Sequence, residues 1–308
     1  MASPFLKWAG GKRQLMAEIM DCFPPDLSEY DCYVEPFLGG GSVLIELLNR
    51  GYNGRVIAGD INQDIIACYL TIQSDVEGLI RALNKISQAL PVDLDERKPV
   101  YYAMRDEWNS SVGKKLRQGS RNFIRRVALT IALNKTCFNG LFRLNSKGEF
   151  NVPMGGTKNL TIFSAENLRN LNKLFDSVTF VQGDYAELLG MIAHDKRSFF
   201  YFDPPYRRLK ETSSLTMYNE DPFGDDEQLR LRDYVKELVL AGHSFLLSNS
   251  DPKNIDASDN FFDDAYRDFS IYRVQARRSI NSVADGRGQI SELLITNLKP
   301  RGGQSNGK

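Results

Sequence analysis

The sequence predicts an α/β fold: a seven-stranded, mostly parallel sheet with an antiparallel edge, carrying an inserted, mainly helical subdomain. Three observations lead there. Apolar strand-like runs alternate with helical periodicity in two groups along the 308 residues, which is the pattern of parallel sheets. Between the groups, residues 63–164 show no parallel-strand signal, over a length beyond any ordinary strand–helix connection. The last two apolar runs are joined by a turn-rich stretch and read as an antiparallel hairpin at a sheet edge.

The first group contains "CYVEPF" (Cys32–Phe37) and "RVIAGDI" (Arg55–Ile61). "GSVLIELLNRG" between them has helical spacing and closes at Gly51, so the unit is strand–helix–strand with a right-handed crossover. The insertion holds the periodic stretches "SDVEGLIRALNKISQAL" and "RNFIRRVALTIALNK". The second group contains "VTFVQGDY" (Val178–Tyr185), "SFFYFDPPY" and "SFLLSNSD" (Ser244–Asp251), with a helix from about Asp226 to Ala241 closed by Gly242. "FSIYRVQA" and "SELLITN", joined by "RRSINSVADGRGQ", form the terminal hairpin, and the polar, Gly-rich tail "KPRGGQSNGK" is expected to be disordered. Residues 1–62 and 165–308 therefore read as the sheet-bearing domain, and 63–164 as an inserted subdomain.

Overall charge suggests no partner, because 39 Lys+Arg balance 39 Asp+Glu. Its distribution does: Asn109–Leu160 holds ten Lys and Arg and one acid, Glu149. An ordinary surface mixes signs, so this concentration points to a polyanion. Arg125 and Arg126, on a helical part of that stretch, are candidates for phosphate contact. The four cysteines have no CxxC spacing and read as free thiols in a reducing compartment. Two histidines make a His-based metal site or a Ser-His-Asp triad improbable. With no membrane-length apolar run and no signal-peptide core, the expectation is a soluble cytoplasmic protein without metal or membrane partners.

Three motifs carry chemistry. In "CFNGLFRLNSKGEFNVPMGG" (Cys137–Gly156), "NSKG" signals a hairpin turn, flanked by residues of the base-reading kind: Asn139, Arg143, Asn145, Lys147 and Asn151. Arg pairs bidentately with guanine and Asn with adenine. A solvated surface hairpin explains that stretch equally well by itself; the basic context favours nucleic acid. "EPFLGGGS" (Glu35–Ser42) follows the first strand, with Asp60 roughly 20 residues on, where an acid commonly holds ribose hydroxyls. A dinucleotide fingerprint would need a third glycine where Leu44 stands, and "AGGKRQ" is not a phosphate loop, having Leu6 and Arg13 at its key places. A nucleoside without a phosphate fits better, and S-adenosylmethionine is the common one. In "SFFYFDPPYRRL", two prolines end an apolar strand and leave Asp203 at the carboxyl edge of the sheet, with Tyr206 beside it. A strand-end cap and a core aromatic are the bland readings of that pair.

"PFLKWAGGK", "VEPFLGGGS", "GDIN", "TCFNGLFRLNSKGEFNVP", "DPPY" and "RSI", in that order, resemble the Dam-type (class alpha) DNA adenine-N6 methyltransferases over most of the chain. The resemblance implies the sheet of S-adenosylmethionine-dependent methyltransferases, double-stranded DNA as partner, and adenine N6 as acceptor after base flipping. Catalysis would fall to Asp203, Pro204, Pro205 and Tyr206, with the Asp203 carboxylate and the Pro204 carbonyl accepting the amino protons and Tyr206 stacking on the base. Trp8, Lys12, Phe37, Gly39, Asp60 and Asp203 would contact the cofactor, and Asp184 and Tyr185 would lie along its adenine. On the DNA side, Arg143 matches a guanine reader, Lys7 a contact to the first guanine, Leu141 and Pro153 thymine-methyl contacts, and Phe138 a wedge, with Asn139 and Asn151 in the same hairpin. Together these imply GATC. Gly156 and Thr157 stand where the family often has a basic and an aromatic residue, which bears on the flanking contacts. The resemblance leaves room for a cognate restriction endonuclease. An NAD-dependent oxidoreductase, a non-catalytic nucleic-acid binder, and an RNA or protein-glutamine methyltransferase are the competing readings. The first leaves DPPY and the basic insertion unexplained, intact DPPY argues against the second, and the hairpin favours DNA over the third.

Overall fold

The seven predicted strand positions all form strands in the computed structural model, which describes residues 1–8, 12–158, 160–192, 197–207, 223–277 and 289–299. The predicted turn at 278–288, its "RSI" block and the tail from residue 300 lie outside the described residues. The strands are β1 (Cys32–Glu35), β2 (Arg55–Asp60), β3 (Val178–Gln182), β4 (Ser198–Phe202), β5 (Ser244–Ser250), β6 (Ser270–Arg277) and β7 (Gln289–Thr296). Their order is β3-β2-β1-β4-β5-β7-β6. β1 pairs in parallel with β2 and β4, and β4 with β5; β7 runs antiparallel to both β5 and β6. Every residue of β1 and β4 is buried, as strands covered on both faces require. Each fully buried aromatic of "SFFYF" stabilises the fold by about 1.5–3 kcal/mol.

The helices are α1 (Met16–Asp21), α2 (Ser42–Asn49), α3 (Gln63–Ser74), α4 (Val76–Ala89), α5 (Leu94–Asn109), α6 (Arg121–Thr136), α7 (Ala165–Leu174), α8 (Asp225–Leu240) and α9 (Phe261–Ala265). Side-chain caps start five of them: Asn62, Asp75, Asp93, Ser120 and Ser164 each accept from a backbone N–H of the first turn. α8 stops at Gly242 (φ 91°), where the Gly242 and His243 N–H groups donate back to Val239 and Leu238, a Schellman closure that favours glycine.

The residues group into two compact units: Met1–Gly11, Leu38–Asn53 and Asp60–Gly183; and Lys12–Phe37, Gly54–Gly59 and Asp184–Lys308. The predicted insertion 63–164 falls wholly within the first. There α6 packs against α3, α4 and α5, and its run from Val127 to Asn134 is buried. The core of the second unit is aromatic and aliphatic, with Phe199–Phe202, Phe245–Leu247 and Leu293–Ile295 all inaccessible.

The predicted hairpin exists in reduced form. Antiparallel bridges join Cys137 to Met154 and Leu144 to Phe150, but no continuous ladder forms. A short 3₁₀ turn at Phe138–Gly140 interrupts it, with Asn139 at φ 54°.

Candidate functional site

The second unit holds the DPPY cluster. Pro204 and Pro205 offer no N–H to a ladder, so β4 ends at Phe202 and Asp203 stands at its carboxyl end. Asp203 Oδ1 lies 2.6 Å from Lys12 Nζ and accepts from Ser248 Oγ at 3.2 Å. Lys12 Nζ also donates to the Tyr206 hydroxyl at 2.7 Å and stands 4.6 Å from the centroid of that ring. The hydroxyl donates onward to Glu292 Oε2 at 2.6 Å. Lys12 is 2% exposed and Asp203 26%. A buried ammonium is costly unless matched by hydrogen bonds and charge, and these partners match it, while one side of the carboxylate stays open to an incoming group. Burial, then the charges of Asp203 and Glu292, push the Tyr206 phenol far above its usual range, so it remains a neutral donor.

The turn is braced from behind. Gln228 Nε2 on α8 donates to the Pro205 carbonyl at 2.9 Å, and Asn249 Nδ2 on β5 donates to Gln228 Oε1 at 3.2 Å, with both amides buried. Arg207, next in sequence after Tyr206, reaches Asp225 and Asp259 at 2.6 Å each and lies over the Phe261 ring.

Phe37 packs on Tyr185 with ring centroids 5.3 Å apart. Tyr185 is core: it is 4% exposed and also meets Phe223, Tyr234 and the Arg230 guanidinium. Arg230 holds both oxygens of Asp184, at 2.8 and 3.1 Å. Burial works to raise the Asp184 carboxyl, and the hydrogen bonds from Arg230 and the Ala186 N–H outweigh it, leaving it below the usual carboxylate range.

In the first unit the glycine turn is packed by its own chain. Asp60 accepts from Gly39 N at 2.8 Å and Asn62 N at 2.8 Å, tying the turn to the end of β2. Burial raises the Asp60 carboxyl and these two N–H groups oppose it. Gly39 and Gly41 have φ of 44° and 64°. A Cβ on Gly39 would run into the Trp8 indole, and one on Gly41 into the Tyr69 hydroxyl, which itself donates to the Gly39 carbonyl at 3.1 Å. The glycines thus allow close packing of Trp8 and Tyr69 on the turn.

The hairpin, also in the first unit, exposes Phe138 (51%) and Leu141 (37%), together with Asn139, Arg143 and Pro153. Arg143 Nε donates to Asn151 Oδ1 at 2.8 Å, so two predicted readers hold each other in place. Lys7 is anchored through Asn134, whose side chain accepts from Lys7 N at 2.8 Å and donates to the Lys7 and Gly140 carbonyls. Lys7 Nζ donates to the Lys135 carbonyl at 3.2 Å. Burial, then the Lys7 charge, lowers the Lys135 ammonium to about 8.

The phosphate-contact expectation is corrected for Arg126. Its guanidinium pairs with Asp64 at 2.7 and 3.1 Å, lies 3.9 Å from the Trp108 ring centroid and is 13% exposed. A phosphate would have to displace a buried carboxylate. Arg125 is half-exposed and bound by both oxygens of Glu107, at 2.8 and 2.6 Å. Both acids lie outside the window Asn109–Leu160, in which Glu149 is the one acid. Sequence reasoning also passed over Ser248, Gln228, Arg230, Asn134 and Glu292. Only Glu292 left a trace, as a charge at the head of the apolar run "LLIT".

No helix among the described residues is long and apolar enough to cross a membrane, and no group of three His, Cys, Asp or Glu among them could hold a metal ion. The four cysteines are buried and unpaired by disulfides.

Residues 8–280 match the family model of the D12 class N6 adenine-specific DNA methyltransferases. The chain is 43% identical over 298 residues to the type II methyltransferase M.MjaIII of Methanocaldococcus jannaschii, covering 96% of this chain and 98% of that protein. It is 34% identical to the DNA adenine methylase of Haemophilus influenzae, covering 94% and 92%, and 33% identical to that of Escherichia coli K12, covering 94% and 93%.

Proposed function

The chain belongs to the D12 class of N6 adenine-specific DNA methyltransferases, and from that membership we propose that it transfers a methyl group from S-adenosylmethionine to adenine N6 of a flipped base in duplex GATC. The observation that carries the reading is the Asp203 carboxylate, held at a strand end by Lys12 and Ser248 and still partly open. Adenine N6 is a poor nucleophile because its lone pair is conjugated with the ring. Asp203 and the Pro204 carbonyl accept hydrogen bonds from the two amino N–H groups, which favours a pyramidal nitrogen with its lone pair free to take the methyl. Tyr206 stacks on the base, and alignment supplies most of the rate. S-adenosylmethionine, when bound, supplies the activated methyl.

The donor set suits that cofactor. Asp60 offers a carboxylate to ribose hydroxyls and Trp8 an aromatic face. In the glycine turn, the N–H groups of Gly39 and Gly41 are already given to Asp60 and to the Leu38 carbonyl, which speaks against a turn that binds phosphate. Lys12, Phe37, Asp184 and Tyr185 complete the proposed cofactor set. Arg143 and Lys7 read guanines, Leu141 and Pro153 meet thymine methyls, Phe138 wedges at the flipped site, and Asn139 and Asn151 support the reading edge. Arg125 reaches phosphate only by exchanging Glu107. We assign residues 63–164 to target recognition and the remainder to catalysis, in the cytoplasm. The type II name of the relative from Methanocaldococcus jannaschii supports a companion restriction endonuclease.

The test is methylation of duplexes containing GATC and each single substitution of it, scored as N6-methyladenine. Methylation of GATC above all others is expected. Equal rates on every duplex would overturn the site, and no methyladenine on any would overturn the activity.

A further inference from the structure

Glu292 sits on β7, opposite Ser250 of β5 and Val274 of β6, and is followed by four fully buried residues. A half-buried carboxylate in such a strand is costly unless hydrogen bonds match it. The Tyr206 hydroxyl supplies one at 2.6 Å, the length of a charge-assisted O–H···O⁻ bond. That bond draws the phenolic proton toward Glu292 and turns the oxygen lone pairs toward Lys12, which donates to them at 2.7 Å. Lys12 in turn meets Asp203 at 2.6 Å.

We propose that Glu292 is a positioning residue for methyl transfer, acting through Tyr206 and Lys12. It holds the far end of the tyrosine that stacks on the target adenine and, through Lys12, the carboxylate that accepts hydrogen bonds from the amino group. The proposal rests on the reading of Asp203 and Tyr206 given above. Asp203 pairs with the ammonium directly and Glu292 reaches it only through the phenol, which is the link that lets Glu292 act on Lys12. The hydroxyl oxygen lies on the axis about which the ring turns, so this tether holds the far end of the side chain against swings about its Cα–Cβ bond, while the Lys12 ammonium stands 4.6 Å from the ring centroid.

A double-mutant cycle separates this role from simple support of the hairpin. Glu292→Ala should lower the single-turnover rate by about tenfold or more, the effect of losing a hydrogen bond to a charged group. Its KM for S-adenosylmethionine should stay within about twofold, and its melting temperature near that of the wild type. Glu292→Gln keeps an acceptor and should restore most of the rate. In a Tyr206→Phe background, Glu292→Ala should add less than about a further twofold, because the link is already cut. A duplex with 2-aminopurine at the target position, with S-adenosylhomocysteine present, should brighten with wild type and brighten less, to the same degree, with Glu292→Ala and Tyr206→Phe. Multiplicative losses in the double variant, or full brightening by Glu292→Ala, would overturn the proposal. If Glu292→Ala fails to fold, the same comparison with Glu292→Gln against Tyr206→Phe decides it: a Gln variant as slow as Tyr206→Phe and additive with it sinks the relay. A wild type that neither methylates adenine nor brightens the probe would instead overturn the reading of Asp203.

Discussion

Asp203 has two tasks, and they separate in experiment. As acceptor of the amino protons it is needed for transfer, so Asp203→Ala should abolish single-turnover methylation. Duplex binding should persist, because phosphate contacts dominate affinity. As partner of a lysine that is 2% exposed, it also balances a buried charge. Removing it should destabilise the protein by about 1–3 kcal/mol, below the range of a fully buried pair because Asp203 is itself partly open. Urea melts of the variant give that number. Arg143 is tied to Asn151 by a single hydrogen bond and is otherwise exposed, so its fork can reach a guanine at small cost. Arg143→Ala should lose about tenfold to a hundredfold preference at one base pair. A uniform loss over all duplexes would make it a backbone contact instead.

Helix α6 was the basic element most suggestive of DNA, and its tertiary role is different. Nine of its sixteen residues are buried, and its Arg126 closes an ion pair with Asp64 under Trp108. Arg126→Met should therefore cost about 3 kcal/mol of stability, with the salt slope of DNA binding unchanged. A slope reduced by about one unit would restore the phosphate role. The glycine turn makes a similar point. Gly41→Ala meets both a positive φ and the Tyr69 hydroxyl. It should destabilise by about 1 kcal/mol or more and raise the KM for S-adenosylmethionine, because Asp60 is hydrogen-bonded to the same turn.

For the whole molecule, pH dependence follows from two kinds of group. His243, 4% exposed, accepts from Ser198 N through Nδ1 at 3.0 Å, so its neutral form is the one the fold needs. Burial lowers its basicity from the usual value. The unfolded chain then binds the proton first as pH falls. Stability is complete above about pH 6.5 and declines below it until the folded-state value is passed. Urea melts at pH 7.5 and 5 should show this loss, and His243→Asn should flatten it. Asp184 and Asp263 are held below the usual range: burial opposes the shift, and hydrogen bonds from Arg230 to Asp184 and from Arg273 and Lys253 to Asp263 outweigh it. Their contribution is present above the ordinary carboxylate range near about pH 4 and is lost only as pH falls through their lower folded values, so the two effects occupy separate windows.

The sequence by itself determined the strands, because buried parallel strands are continuous apolar runs and proline pairs end them: "SFFYFDPPY" could be read as strand, stop and acid without coordinates. It determined the edge hairpin, the helix closed at Gly242 and the ordered blocks of the family for the same local reason. What tertiary structure decided is who partners whom. Arg126 looked unopposed because Asp64 is distant in sequence, the packing of Gly39 and Gly41 left no local sign because Trp8 and Tyr69 approach from elsewhere in the chain, and Glu292 looked incidental because Tyr206 lies 86 residues away. Local pattern reports which backbone a segment can adopt and which face it buries. A long-range ion pair or hydrogen bond leaves no periodic trace, and it exists only after the chain has folded back on itself.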